Sequence, residues 1–197
     1  ELKNMINHSC LSYLKNLKSQ RERFKNRLRP GHLIHTLISE HEIILSFLNK
    51  LKRTNQKIQK AKDYKKKGES FEFLKEIAEH LIEAEPHHER EEKVLFPEIE
   101  KRGVFGPPEV MRQEHKVLRK AKKDLKSLLR KKINLAQFKR ELAEITNLLI
   151  PTLKDHIAKE DNILYPLSLE VIQDEKIWQK MKLKCDKIGY CCFTPEE

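Results

Sequence analysis

Glycine and aromatic residues are scarce in this 197-residue chain. It has five glycines and 7% aromatic side chains, whereas 36% of its residues carry a charge. Sandwiches and barrels depend on frequent turns and on β-branched or aromatic strands, so this composition argues against them. Leucine, isoleucine, lysine and glutamate recur at three- and four-residue intervals instead, as they do in amphipathic helices. The composition predicts an all-α protein.

Cysteines and apolar runs are also few. The four cysteines, Cys10, Cys185, Cys191 and Cys192, lack the CxxC spacing of zinc sites, and we expect no disulfide framework. The vicinal pair at 191 and 192 leaves a redox role open. No run approaches the ~20 apolar residues of a membrane span, and no signal peptide begins the chain. We therefore expect a cytoplasmic protein without a membrane partner.

Acidic residues are outnumbered by basic ones, 30 against 41, which gives a formal net charge of +11. Such an excess raises nucleic acid as a partner. The lysines, however, alternate with acidic residues between helical apolar positions, and no aromatic residues accompany them for base stacking. We interpret them as solvated helix faces and expect no nucleic-acid partner. Salt-dependent DNA or RNA binding that survives chelation would contradict this.

Interruptions in the apolar periodicity mark the predicted helices. An amphipathic helix over 2–28 ends at the RPG sequence of 29–31. Ser70 and Asn134 are predicted helix caps, and a short last helix runs from Asp174 to Gly189. The four long helices between these ends are expected at about 32–57, 70–101, 107–132 and 135–168.

This succession predicts an antiparallel, up-down-up-down four-helix bundle with an extra helix at each end. The predicted divisions are an N-terminal amphipathic helix at 1–30, the bundle at 31–170, and a C-terminal helix with a cysteine-containing tail at 171–197.

Two stretches of the predicted bundle share a pattern. Residues 87–97 have the sequence HHEREEKVLFP, and residues 156–166 have the sequence HIAKEDNILYP. Each begins with His, has Glu four residues later and an acid directly after it, and ends with an aromatic residue and Pro. A Glu-His pair precedes each stretch, at His41 and at His115. The chain therefore repeats a helical hairpin that supplies one lone His and one His-x-x-x-Glu unit.

A helical projection at ~100° per residue places these donors on apolar faces. Relative to His156, Ile163 and Glu160 point inward and Asp161 is turned ~140° away. The first unit behaves in the same way. The predicted inward donors are His41, His87, Glu91, His115, His156 and Glu160.

A cluster of buried carboxylates repels itself unless cations neutralise it. Apart from Lys122, which falls on the stripe of His115, we predict no inward-facing Lys or Arg. Two divalent cations resolve the repulsion, because each glutamate can bridge both ions while each histidine binds one. Imidazole with carboxylate suits iron, manganese or zinc. A lone inward histidine is commonly a core residue, but two matched units favour a metal centre. His35 is a reserve ligand, His80 is expected in the core or in an outer position, and His88 is turned ~100° from His87.

The segments SEHEIIL, HHEREEKVLFP, RQEHKVL and HIAKEDNILYP, in this order over 32–168, resemble the hemerythrin-like cation-binding domains named for their His-His-Glu residues. The resemblance implies a four-helix bundle with a carboxylate-bridged, non-haem di-iron centre of the Fe–O–Fe type. It transfers ligand roles to the six donors given above. Because family members differ in whether the carboxylate lies four or five residues after its His, Glu92 and Asp161 also stay open. Oxygen-carrying members have a further His where this chain has Arg119.

The resemblance therefore predicts a protein that binds or senses dioxygen or another small oxidant. We expect a protein partner at the basic surface and at the terminal helices, which the resemblance does not cover. The absence of the further His argues against reversible oxygen carriage. An enzyme acting on peroxide or nitric oxide, or an iron-handling repair protein, is the alternative. Sustained turnover would distinguish it from stoichiometric oxidation.

Overall fold

The computed structural model of the chain describes residues 20–62 and 68–195. About 82% of these residues are helical and none of them lies in a strand, which confirms the all-α prediction. Residues 20–25 form a short helical segment. The remaining elements are α1 Leu33–Lys60, α2 Gly68–Glu83, α3 Glu85–Arg90, the π-helix π1 Glu91–Leu95, α4 Phe96–Glu100, α5 Gly106–Leu128, α6 Leu135–Lys159, the π-helix π2 Glu160–Leu164, α7 Tyr165–Val171 and α8 Glu175–Ile188.

The long helices pack as neighbours around one interior. Helix α1 lies against α2 and α6, and α5 lies against the same two helices. Helix α8 packs across α1, α3 and π1. The up-down-up-down order and the three predicted divisions of the chain stay predictions. Most of the predicted helix over 2–28, and part of the polar loop before α2, lie outside the described residues.

The prediction that the third helix is continuous was wrong. Residues 70–101 are divided among α2, α3, π1 and α4, and Ser70 lies inside α2 instead of capping it. Pro86 explains the first break, because proline has no N–H to donate and its ring clashes with the preceding turn. The predicted caps at Asn134 and Asp174 are confirmed, since their side chains accept hydrogen bonds from the Gln137 and Lys176 amides.

Two apolar clusters fill the interior. One contains Leu48, Leu51, Leu74, Leu118 and Leu142. The other contains Leu37, Leu95, Met111, Leu164 and Trp178. The predicted donors lie between them along each helix: His41 lies between Ile38 of the second cluster and Ile44 of the first. The bundle therefore encloses a polar layer between two apolar layers, which excludes water from the layer's histidines and carboxylates.

Candidate metal centre

The four histidines of the repeated pattern meet in the polar layer. All four are buried. The Nε2 atoms of His41 and His87 lie 3.0 Å apart, and those of His115 and His156 also lie 3.0 Å apart. The layer thus contains two histidine pairs, each with its ring nitrogens directed at a common point.

Glu160 lies between the two pairs. Its Oε2 atom is 3.1 Å from His41 Nε2, and its Oε1 atom is 2.9 Å from His156 Nε2. Glu91 Oε2 is nearly equidistant from both pairs, at 3.7 Å from His87 Nε2 and 3.5 Å from His115 Nε2. Each carboxylate can therefore reach a cation at either pair, as a bridging ligand must.

Three carboxylate oxygens in this layer are buried without a hydrogen-bond partner among the described residues: Glu91 Oε2 and both Oε atoms of Glu160. Burial and the neighbouring Glu160 raise the pKa of Glu91 well above its usual value. Burial opposes ionisation of Glu160, but the surrounding histidines outweigh it and lower its pKa. Unpartnered buried acceptors are costly, and a divalent cation is the partner that satisfies several at once.

Burial and the neighbouring charges shift the pKa values of His41, His87 and His115. Burial lowers the pKa of His41, but Asp161 and Glu160 outweigh it and raise the value to about 9. Burial acts in the same direction on His115, and Glu160 and Glu92 raise its pKa to about 9. Burial, helped by His41, lowers the pKa of His87 to about 4. At least one histidine of each pair is therefore positively charged at neutral pH.

Each of the four histidines in the two pairs also has a carboxylate acceptor at its second ring nitrogen, Nδ1. The Nδ1 atoms of the four rings face, at 2.7–2.8 Å, these acceptors: Asp161 for His41, Glu40 for His87, Glu92 for His115 and Glu114 for His156. When Nδ1–H donates to a carboxylate, the neutral ring presents its Nε2 lone pair. This is the orientation and tautomer that a metal-binding histidine needs.

Each acceptor carboxylate is in turn paired with a cation. Arg90 Nη2 donates to both Oε atoms of Glu40, at 2.5 and 2.6 Å, and this pair is wholly buried. Lys159 occupies the matching place in the repeat and donates to Glu114, which is partly exposed. The remaining two pairs are Arg21 with Asp161 and Arg119 with Glu92. Arg119 is therefore held by carboxylates, away from the histidine pairs.

The prediction that no Lys or Arg other than Lys122 faces inward was wrong, because Arg90 is buried; Lys122 is buried as well. Arg90 is tolerated there since Glu40 accepts its hydrogen bonds and the Tyr190 ring lies 4.7 Å from its guanidinium carbon. Burial lowers the pKa of Lys122 to about 8. Arg90 lies behind His87, where it offsets the charge of Glu40.

The two π-helices correct the helical projection. Ile163, predicted to face inward, is 55% exposed, and Leu164 is buried in its place. A π-turn inserts one residue, so the inward face moves forward by one position after Glu160. The same turn holds Asp161 against His41 although the projection placed it elsewhere. Single π-turns of this kind occur frequently at functional sites.

Tyr165 is a site residue that the sequence analysis missed. Its hydroxyl donates to Glu91 Oε1 at 2.7 Å and lies 3.4 Å from His41 Nε2. Burial and Glu91 raise the pKa of this phenol well above its usual value, so it stays protonated. The available signal was a difference between the repeats, since Phe96 occupies the matching position and has no hydroxyl. Glu40 and Glu114 were also missed, although each directly precedes a predicted histidine.

The remaining histidine and cysteine predictions have mixed outcomes. His88 is buried, with its ring stacked on that of His115 at 3.9 Å between centroids. His35 is partly buried, and it is not among the residues whose donor atoms converge in this layer. Burial raises the pKa of both Cys185 and Cys191 to about 12, so these thiols stay protonated.

Donor atoms of Glu91, His115, His156 and Glu160 form one group that could hold a cation, and those of His41, His87 and Glu160 form a second. Glu160 belongs to both. Within the described residues, no helix is long and apolar enough to cross a membrane.

Comparison with known families agrees with this donor set. A model of the hemerythrin HHE cation-binding domain matches residues 32–168, which contain both histidine pairs and both inward carboxylates. The comparison with curated proteins gave no significant match. The matched segment covers more than half of the chain. The protein therefore belongs to the hemerythrin family, as a member with an HHE cation-binding domain.

Proposed function

We propose that this domain holds two iron ions and binds or senses dioxygen or a related small oxidant. The observation that carries the proposal is the position of Glu160, with one oxygen at each histidine pair and neither oxygen hydrogen-bonded within the described residues. The six proposed ligands are His41, His87, Glu91, His115, His156 and Glu160. Manganese or zinc would fit the same donors.

The protein's part in the chemistry is to hold these donors in place and keep water away. Two histidines and shared carboxylates leave positions at each cation for a small exogenous molecule. A bound iron pair would supply electrons to such an oxidant. The carboxylates at Nδ1 keep His41 and His87 oriented, and the two apolar clusters exclude competing solvent.

Two hydrogen bonds connect the centre with the terminal segments, so a change of charge at the centre acts on these segments. Arg21 donates to Asp161, which holds His41, and Thr194 donates to Glu40, which holds His87. Both donors lie outside the matched family segment. We propose that a protein partner at the terminal segments senses the state of the centre through these contacts. An up-down-up-down helix order, supported by the neighbour relations of the long helices, is part of the same proposal.

The test is metal analysis of anaerobically purified protein, with ultraviolet-visible spectra before and after exposure to air. We expect about two irons per chain and a new absorption band on exposure. Glu160→Ala should lose both, whereas Glu170→Ala, an exposed glutamate in α7, should lose neither. Two zincs without a spectral change would refute the oxidant chemistry, and no metal would refute the centre itself.

A di-iron enzyme acting on peroxide or nitric oxide is the second candidate, and Tyr165 favours it. A buried phenol in contact with Glu91 places an exchangeable proton beside the proposed cations, and peroxide reduction consumes protons. Repeated additions of peroxide in the presence of an excess of an electron donor, such as ascorbate, distinguish the two functions. Consumption that continues over many equivalents indicates an enzyme, and consumption that stops after one equivalent indicates a sensor.

A further inference from the structure

A second group of metal-binding side chains lies on the surface, away from the bundle centre. It consists of His80 and Glu83 near the end of α2, and Cys192 in the tail after α8. The Cys192 Sγ atom is 3.5 Å from His80 Nδ1 and 3.1 Å from Glu83 Oε2, and these two atoms are 3.6 Å apart. Three different donor types thus meet at one point.

Two of these separations, 3.5 and 3.6 Å, match the edges of a metal coordination tetrahedron, and the third, 3.1 Å between Cys192 Sγ and Glu83 Oε2, is shorter than such an edge. Zinc lies about 2.0–2.2 Å from nitrogen or oxygen and about 2.3 Å from sulfur, which places tetrahedral donors about 3.3–3.6 Å apart. Thiolate, imidazole and carboxylate are also the donors that zinc accepts. Because the side chains of His80 and Glu83 are 31% and 54% exposed, solvent can complete the coordination.

The His80 ring is held in the orientation that such a site needs. It stacks on Phe47 with centroids 4.9 Å apart and meets Phe193 edge-on at 6.5 Å. Its Nδ1 atom faces the thiol, while Glu76 Oε1 lies 3.9 Å from its Nε2 atom on the far side.

We infer that His80, Glu83 and Cys192 bind a divalent cation of zinc type and thereby fasten the C-terminal tail to α2. Binding replaces the Cys192 thiol proton, which passes to solvent, by a sulfur–metal bond. Fastening Cys192 also holds Thr194, which lies two residues later and donates a hydrogen bond to Glu40 Oε1 at 2.5 Å. The inference does not depend on the metal of the bundle centre.

Anaerobic titration of the full chain with Co²⁺ tests the inference. A cobalt ion bound by thiolate gives a near-ultraviolet charge-transfer band that histidine and carboxylate ligands cannot produce. We expect this band in the natural protein and its loss in Cys192→Ser. His80→Gln should weaken the binding about tenfold or more, the loss that even outer changes cause at metal sites. A matched control at an exposed glutamate of the same helix, Glu72→Gln, should keep the band.

The alternative is that the thiol simply donates a hydrogen bond to Glu83. In that case no band appears, or the band persists in Cys192→Ser, and either result overturns the inference. A second measurement covers a folding defect in the variants: Zn²⁺ should slow the alkylation of Cys192 in the natural protein, measured by peptide mass spectrometry, and an unchanged rate would also overturn it. Because the band requires a thiolate, failure of the bundle centre to bind metal leaves both results unaffected.

Discussion

Replacing Arg90 by methionine isolates the cost of an unpaired charge behind the metal centre. The guanidinium is wholly buried and forms two hydrogen bonds to Glu40, together with one from Nε to the Pro86 carbonyl. Methionine retains much of the apolar volume but leaves the Glu40 carboxylate in the interior without its cation, although His87 and Thr194 still contact it.

The expected loss follows from burial. Removing one partner of a buried ion pair costs about 3–5 kcal/mol, whereas an exposed pair is worth about 0–1 kcal/mol. The internal repeat supplies the matched control, because Lys159 occupies the equivalent position opposite Glu114 with its side chain 34% exposed. Arg90→Met should therefore lower the free energy of unfolding by about 3–5 kcal/mol, and Lys159→Met should lower it by no more than about 1 kcal/mol.

Urea unfolding of both variants, followed by circular dichroism, measures the difference. The double variant Glu40→Gln/Arg90→Met removes the unpaired carboxylate charge and should recover part of the lost free energy of unfolding. If Arg90→Met is as stable as Lys159→Met, breaking the buried ion pair costs no more stability than breaking the partly exposed one, which would refute the reasoning. If the double variant is no more stable than Arg90→Met, lost packing rather than an unpaired charge causes the effect.

Three further outcomes are expected. Tyr165→Phe should keep the fold but remove the donor to Glu91, costing about 1–3 kcal/mol in thermal or urea unfolding; an unchanged midpoint would contradict the hydrogen bond's role. Metal binding should release protons from His41 and His115, because their pKa values are about 9 in the metal-free protein and a bound ligand must be deprotonated. The apparent affinity should therefore rise as pH increases from 6 toward 9, and calorimetric titrations in buffers of different ionisation enthalpy should detect the released protons; a flat profile would refute this. Chelation should lower the unfolding temperature, since a ligand at about 1,000 times its Kd stabilises the folded state by about 4 kcal/mol, and an unchanged temperature would mean that no metal was bound.

The same raised histidine pKa values give the stability of the protein without metal a pH dependence opposite to that of its metal affinity. A histidine whose pKa is raised on folding stabilises the folded state below its unfolded pKa of about 6.5, and that contribution is lost as pH rises through about 9. The pKa of Glu40 is lowered on folding. The stabilisation that this carboxylate contributes is therefore present above pH 4.5 and is lost as pH falls toward about 2.

The donor set was accessible from the sequence because it depends on local spacing. Two His-x-x-x-Glu units place each pair of side chains on one helix face whatever the helix packs against. The apolar residues around them then determine which face is buried. The same local rules explain why the Asn134 and Asp174 caps were predicted correctly.

Other features depended on contacts between distant segments. The pairing of His41 with Asp161 joins residues 120 positions apart, and that of His87 with Glu40 joins residues 47 apart. Helical periodicity contains no information about such partners. It also assumes a constant turn, so the π-helices and the exchange of Ile163 for Leu164 at the buried position could not be foreseen.

The sequence alone therefore determined the helical class and the histidine and glutamate donors, since both follow from composition and from spacing within single helices. Only the tertiary structure decided which carboxylate orients which histidine, that Arg90 is buried behind Glu40, that Tyr165 reaches Glu91, and that Cys192 meets His80. Each of these contacts joins separate helices or the tail, and packing of the whole chain is what fixes their distances.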